Sequence, residues 1–401
     1  MRVGASCVLL TLASATGPGI AAQASIDAPG RHRPPALSKP RVAPLTEDRW
    51  TDAHRQVVAK FSTSGRADNG LSTLLQLPEL AEGVMPFTLY LADDSSLSPR
   101  HRHLLILRAV WLANSRPLWA TYAARAARSG MTPAEIRRIA QGPDAAGWEP
   151  FDATLLRLAD ELFRNSSVTH RTWDALSSAY DQFHLMDAVE TVNHFVVLSM
   201  LYNTFGVQPD SGIAEQLPRD VPYRVVVPPR EPPLTTARFV PPAGRGIAVG
   251  RTFNMYPTLT RPWGPRQTFV NRVSKLTPHH REMLILRSGW NCRAEYEWAQ
   301  HVGIVGRARE HGLEPVHIAE GPAAPSWDPF ERTLLQVADE LYRDAIVSDK
   351  TWRALTERFD TGLAMSAVAT ASAYRAISMS LNTYGVQLEP GNEKFPHVST
   401  R

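Results

Sequence analysis

The chain of 401 residues contains one long sequence unit twice, and this repeat limits its possible folds more than any other feature. "LSPRHRHLLILR" at 97–108 corresponds to "LTPHHREMLILR" at 276–287, and "SMLYNTFGVQ" at 199–208 corresponds to "SMSLNTYGVQ" at 378–387. The stretches 142–176 and 321–355 are related by the same offset of 179 residues. Two copies of so long a unit indicate duplicated domains, because a solenoid needs at least three stacked repeats.

Both copies have the hydrophobic periodicity of helices. "DATLLRLADELFRN" and "ERTLLQVADELYRD" place apolar residues at i, i+3, i+4 and i+7. Ser98 and Thr277, each followed by proline, are typical of a helix N-terminus. Gly206 and Gly385 are expected to end the last helix of each copy. The sequence therefore predicts an all-α protein made of two tandem helical domains.

The repeat and the proline distribution together predict the domain boundaries. Proline fixes φ and removes a backbone donor, so proline-rich segments cannot form long helices. The predicted parts are a disordered lead-in, a first domain, an extended linker, a second domain and a tail, at residues 25–45, 46–208, 209–246, 247–390 and 391–401.

Residues 1–24 have the features of a secretory signal peptide. Arg2 precedes a short apolar stretch, and Ala22-Gln23-Ala24 forms a small-x-small cleavage site. We therefore expect an exported protein, periplasmic or secreted, although an alanine-rich disordered N-terminus has a similar composition. Cys7 lies too early in the apolar stretch for a lipid anchor. After cleavage Cys292 is the single cysteine, so no intramolecular disulfide can form.

Charge and hydropathy exclude two classes of partner. The net charge is +4, and the basic residues are scattered among acidic ones, which does not indicate nucleic acid binding. After the signal, no run reaches the ~18 uninterrupted apolar residues of a membrane span. A small-molecule substrate is the expected partner.

The stretch "NCRAEYEWAQH" at 291–301 holds the candidate chemistry. Glu297 and His301 are four residues apart and share a helical face, where a carboxylate and an imidazole can move a proton between them. Trp298 and Trp290 are expected to form an apolar pocket wall. A surface salt bridge or a histidine satisfied at an interface is the alternative interpretation. Two such ligands are too few for a metal, so neither metal nor cofactor is predicted.

Cys292 is a weaker candidate for a redox role. On a continuous helix, the nine residues between it and His301 would place the two side chains about 180° apart. A thiol needs a nearby base or a positive field to become a nucleophile. We therefore expect Cys292 to be a buried, small hydrophobic residue.

The order of "LTPHHREMLILRSGWNCRAEYEWAQH", "GPAAPSWDPFERTLLQVADEL", "TWRAL" and "LNTYGVQL" resembles the carboxymuconolactone decarboxylase family, whose superfamily includes alkylhydroperoxidase D-like peroxidases. The resemblance covers about residues 70–208 and 250–390. It implies an all-α fold that assembles into homo-oligomeric rings or trimers. The peroxidase branch has a glutamate, a Cys-x-x-Cys pair and a histidine. Aligned on His301, Glu282 takes the glutamate position, whereas Ala294 and Glu297 replace the cysteines.

This departure favours proton-transfer lyase or isomerase chemistry on a small organic acid or lactone, with Glu282, Glu297 and His301 as the catalytic residues. Two alternatives remain open: a peroxidase that depends on Cys292, and a non-catalytic binding or assembly module. In the first copy the positions of the three candidate residues hold His103, Leu118 and Tyr122. That copy is therefore predicted to be a scaffold.

Overall fold

The computed structural model describes residues 29–213 and 217–398. The predicted signal peptide and Cys7 lie outside the described residues. The described part consists of α-helices joined by turns, short 3-10 and π-helical segments and extended stretches, without a β-strand. The predicted all-α fold is confirmed.

Helices recur in the two halves with the offset of the sequence repeat. The first half contains α1 to α9, and the second contains α10 to α17. Their bounds are Asp52–Phe61, Asn69–Leu74, Pro78–Leu89, Pro99–Leu112, Arg116–Arg128, Pro133–Gln141, Pro150–Asn165, His170–Ser177 and Gln182–Phe205, then Ala248–Phe253, Pro257–Thr268, Pro278–Asn291, Glu295–Val302, Pro315–Glu320, Pro329–Asp344, Asp349–Thr356 and Thr361–Tyr384.

The helix ends follow the predicted capping signals. Ser98 accepts a hydrogen bond from the backbone N–H of His101 at the start of α4, and Thr277 accepts one from His280 at the start of α12. Gly206 and Gly385 follow α9 and α17 with φ of 72° and 66°. Glycine adopts this left-handed conformation without the steric cost that other residues incur.

Repeated ion pairs connect the helices within each half. Arg108 of α4 holds Asp160 of α7 through two bonds of 2.6 and 2.9 Å, and Arg287 of α12 holds Asp339 of α15 at 2.6 and 3.0 Å. All four side chains are buried. Such bidentate pairs fix the relative orientation of the helices, and removing one partner of a buried pair typically costs about 3–5 kcal/mol.

The two halves pack on each other along their long helices. α9 packs against α17, and α3 packs against α11. Asn203 donates to the carbonyl oxygens of Ala113 in its own half and Ala345 in the other. Asn382 does the same toward Cys292 and Ser166. These two asparagines therefore join the halves.

The segments outside the helices lie against the bundle. Arg41, in the lead-in predicted to be disordered, instead binds Asp349 and the carbonyl oxygens of Thr204 and Val347. In the linker, Arg230 donates to the carbonyl oxygen of Cys292. None of the helices in the described residues is long and apolar enough to cross a bilayer.

Candidate active site

Two consecutive helices of the second half position the candidate residues. α12 ends at Asn291, Arg293 adopts a left-handed conformation with φ of 53°, and α13 begins at Glu295. The expectation of one continuous helix through 291–301 is therefore wrong. The turn lets α13 pack back on α12, and this brings Glu282 of α12 beside His301 of α13.

His301 is bonded to a carboxylate on each side of its ring. Its Nδ1 lies 2.6 Å from Oε2 of Glu282, and its Nε2 lies 3.0 Å from Oε1 of Glu297. The exposed fractions of Glu282, Glu297 and His301 are 2, 4 and 4%. The surface salt bridge considered for Glu297 and His301 is thereby excluded. We call these three residues the triad.

The carboxylates decide the charge of the imidazole. Burial alone would lower the pKa of His301, but the charges of Glu282 and Glu297, and their hydrogen bonds, outweigh burial and raise the pKa to about 10. At neutral pH His301 is therefore an imidazolium that donates from both nitrogens.

Glu282 and Glu297 differ in their surroundings. Glu282 also receives Nε of Arg281 at 3.3 Å, so it is bound on two sides. Glu297 approaches Gly289 of α12, where an added Cβ would lie 3.6 Å from its Cγ. Glu282 is therefore the anchored carboxylate of the triad. Among the described residues Glu297 has no such arginine partner, and it is therefore the less tightly held of the two carboxylates.

Sequence reasoning missed two polar residues beside the triad. Tyr374 of α17 packs edge to face with the His301 ring, with 5.0 Å between the ring centres. Its hydroxyl donates to Oδ1 of Asn271 at 2.7 Å, and Asn271 lies in the π-helical segment Phe269–Val273. Comparison of the two repeats could have found them, because the corresponding residues of the first repeat, Phe195 and Ala92, lack these polar groups.

A glycine-bounded loop closes the site after α13. A Cβ on Gly306 would overlap Oε2 of Glu282 and the backbone of His301, so only glycine fits against the triad there. The loop exposes two apolar side chains, Ile304 at 67% and Val305 at 48%. The first repeat has no such loop, because α5 continues through the equivalent positions to Arg128.

Cys292 does not take part in the triad. It is buried at the C-terminus of α12, and its Sγ lies 3.9 Å from the carbonyl oxygen of Arg375. Burial raises the pKa of the thiol, which disfavours the reactive thiolate. Cys292 is therefore a small core residue, although the turn, not a half-turn of helix, separates it from His301.

The tryptophans predicted to form a pocket wall make an aromatic cluster with the tail. Trp290 and Trp298 pack on each other with ring centres 5.4 Å apart, and Phe395 packs against both at 5.0 and 5.4 Å. The aromatic ring in contact with His301 is that of Tyr374. Phe395 and its neighbours thus cover α13 from the side of the tryptophans.

The first repeat keeps the packing of this site without its chemistry. Tyr122 takes the place of His301 and packs edge to face on Phe195, with ring centres 4.8 Å apart. His103 replaces Glu282, and burial, reinforced by nearby arginine charges, lowers its pKa to about 4. Leu118 replaces Glu297. None of these three residues carries a carboxyl group, so the first repeat lacks the carboxylate–imidazole contacts of the triad at these positions.

A metal centre is not indicated by the side chains at hand. Across residues 29–213 and 217–398, no group of three or more histidine, cysteine, aspartate or glutamate residues is arranged to hold a metal ion. The three triad side chains are bonded to one another.

Comparison with known proteins gives a match to one family model. The model of the carboxymuconolactone decarboxylase family matches residues 78–161, from α3 into α7. The resemblance inferred from the sequence is thus confirmed for these residues. The match falls in the first repeat, so it identifies the fold and not the triad.

Solved structures include a similar chain. The debrominase Bmp8, as a cysteine-to-alanine variant in complex with 2,3,4-tribromopyrrole, is 12% identical with a TM-score of 0.37. The similarity covers 44% of this chain and 95% of that chain. No curated protein sequence matches.

Proposed function

We propose that the second repeat is a proton-transfer enzyme of the lyase or isomerase type that acts on a small organic acid or lactone. One observation carries this proposal: His301 is held between Glu282 and Glu297 in a site from which water is largely excluded. A buried acid–base group of this kind is characteristic of functional sites, where burial and neighbouring charges set the protonation state.

The protonation state assigns the roles. His301 is already protonated at neutral pH, so it cannot be the base that accepts the substrate proton. Glu297 is the base in this scheme, because it contacts His301 at 3.0 Å and lacks the arginine partner that also holds Glu282. Glu282, bonded to Nδ1 of His301 and to Arg281, fixes the ring and keeps it charged.

In an isomerisation, Glu297 removes a proton from the carbon beside a carbonyl group. The C–H electron pair forms a carbon–carbon double bond, and the carbonyl π pair moves to oxygen. Protonated Glu297 then returns the proton to another carbon of the enolate. His301 stabilises the charge changes at Glu297 throughout, because their hydrogen bond persists in both states.

In a decarboxylation, the electron pair of the breaking carbon–carbon bond enters the same enolate as carbon dioxide leaves. A proton from the His301–Glu297 pair then quenches the carbanion and is replaced from solvent. Both reactions pass through an enolate, and both require a protein group that exchanges a proton with carbon. A peroxidase would instead need a reactive thiol, and the buried Cys292 does not supply one.

The proposal is tested with a panel of lactones, keto acids and hydroperoxides incubated with the purified protein in D2O. Nuclear magnetic resonance reads deuterium incorporation, isomerisation and carbon dioxide loss, and a thiol-coupled assay reads peroxide consumption. We expect exchange or decarboxylation by wild type and by Tyr122→Phe, which alters the first repeat only. His301→Asn should abolish it. Thiol-dependent peroxidase activity, or unchanged exchange in His301→Asn, would refute the proposal.

Export and self-assembly are also proposed. Export rests on the signal-like residues 1–24 and predicts a secreted or periplasmic product whose N-terminus is Ser25; N-terminal sequencing of that fraction tests it. The homo-oligomer rests on the family resemblance. Light scattering of the purified protein tests it, and a monomer would contradict it.

A further inference from the structure

Five polar residues of the second repeat form one group of successive contacts, and other residue types occupy the corresponding positions of the first repeat. Three form the triad, and the other two are Tyr374 and Asn271. We propose that the Tyr374 hydroxyl, held by Asn271, donates a hydrogen bond to the carbonyl oxygen of the substrate. The reacting end of the substrate is then an uncharged ketone, ester or lactone carbonyl. This inference rests on the function proposed above.

The hydroxyl of Tyr374 is not needed for packing. His301 and Tyr374 form an edge-to-face pair with an interplanar angle of 87°, and Tyr122 and Phe195 form the same pair at 82° in the first repeat. A phenylalanine thus fills the position equally well. The second repeat carries a buried phenol that requires a polar partner, and burying such a group is unfavourable unless it is hydrogen-bonded.

Asn271 supplies that partner and allows the phenol to change its role. In the present arrangement Oδ1 of Asn271 accepts the proton of Tyr374. A rotation of the amide would present Nδ2–H to the phenol oxygen, which frees the phenol proton for a substrate oxygen. Burial, with the charges of Glu297 and Glu282, raises the pKa of Tyr374 well above its ordinary value, so the phenol remains a neutral donor at neutral pH.

The charge balance of the triad favours a carbonyl as the reacting group. The two carboxyl groups already face two positive partners, the His301 imidazolium and Arg281, so the cluster has no surplus positive charge to hold an anionic reacting end. When Glu297 takes a proton from carbon, the total charge does not change, but the new negative charge lies on the enolate oxygen. A donor aimed at that oxygen stabilises the transition state more than the substrate, which is how such groups increase kcat.

Tyr374→Phe tests the proposal, because phenylalanine occupies the equivalent place in the first repeat. On a substrate found in the panel, we expect kcat to fall by about 10²–10³-fold, the usual effect of removing one oxyanion donor, with little change in KM. Tyr384→Phe is the matched control: it removes another buried hydroxyl from α17, one that donates to Glu190. Its kcat should stay within threefold of wild type.

A binding measurement tests the same inference without turnover. Tetronic acid, an enol lactone that is anionic at neutral pH, imitates the enolate. In the proposed intermediate Glu297 is protonated, so the anion should bind together with one proton that Glu297 takes up. Calorimetry should show at least tenfold weaker binding to Tyr374→Phe than to wild type or Tyr384→Phe. One combination of results would overturn this inference and leave the proposed function standing. In it, His301→Asn loses activity, but Tyr374→Phe keeps both its kcat and its affinity for tetronic acid. Equal losses in both tyrosine variants, or no saturable binding to wild type, would also overturn it.

Discussion

The charge of His301 should make the stability of the protein depend on pH in a specific window. The pKa of this histidine is raised from an ordinary value of 6.5 to about 10 in the folded state. A raised pKa stabilises the fold fully below the unfolded-state value of 6.5, and this stabilisation is lost as the pH rises through 10. At about 1.36 kcal/mol per pKa unit, the difference corresponds to about 5 kcal/mol.

The perturbation is the double variant Glu282→Gln and Glu297→Gln. Both amides retain the shape of the carboxylates but cannot raise the pKa of His301, which burial would then lower. From about pH 7.5 upward this histidine is almost wholly neutral in both the folded and the unfolded variant, so it contributes almost no pH dependence there. The variant therefore isolates the contribution of the triad from that of other groups that titrate near pH 9 and 10.

The assay is urea-induced unfolding at 25 °C, followed by circular dichroism at pH 6.5, 7.5, 8.5 and 9.5. Relative to the double variant, wild type should lose most of the ~5 kcal/mol across this range, or about 1.36 kcal/mol per pH unit. If the free energies of unfolding of the two proteins change with pH in parallel, His301 is not an imidazolium bound between two carboxylates. That result would refute the charge assigned to His301.

Three further predictions concern single positions. Cys292→Ser should leave turnover nearly unchanged; a loss above tenfold would revive the thiol mechanism. Gly306→Ala should displace Glu282 and reduce turnover at least tenfold. The control Ala127→Gly, at the equivalent position of the first repeat, should lower stability by about 0.5–1 kcal/mol and leave turnover intact. Equal turnover in the two variants would contradict this prediction. Arg287→Met should destabilise the fold by about 3–5 kcal/mol in urea unfolding, because it strands a buried carboxylate; a cost below 1 kcal/mol would contradict the pairing.

The helices could be predicted because their signals are local. Capping residues, N-terminal prolines and C-terminal glycines fix their ends. The bidentate contacts of Arg108 and Arg287 could be predicted because the same residue types recur at the same offset. By contrast, the turn between α12 and α13 was missed, since Arg293 is not a residue that typically adopts positive φ. The corresponding first-repeat residue, Asn114, is such a residue, and the Pro117 that follows lies in the first turn of α5.

The candidate site could be predicted only in part. Glu297 and His301 share a helical face, which sequence spacing shows. Glu282 was placed beside them by family resemblance, and the contact depends on how α13 folds back on α12. Tyr374 and Asn271 come from distant segments, and no local pattern marks either residue. Comparison of the two repeats singles out both positions, but the contact of Tyr374 with His301 shows that they belong to the site.

The central claim is that Glu297 exchanges a proton with the substrate. The most direct measurement is the rate of deuterium exchange from D2O into the reactive carbon of a panel substrate, compared between wild type, Glu297→Gln and Leu118→Met, the control at the equivalent first-repeat position. The exchange rate should fall by about 10²–10⁴-fold in Glu297→Gln and stay near that of wild type in Leu118→Met. Exchange in Glu297→Gln within threefold of wild type would contradict the central claim.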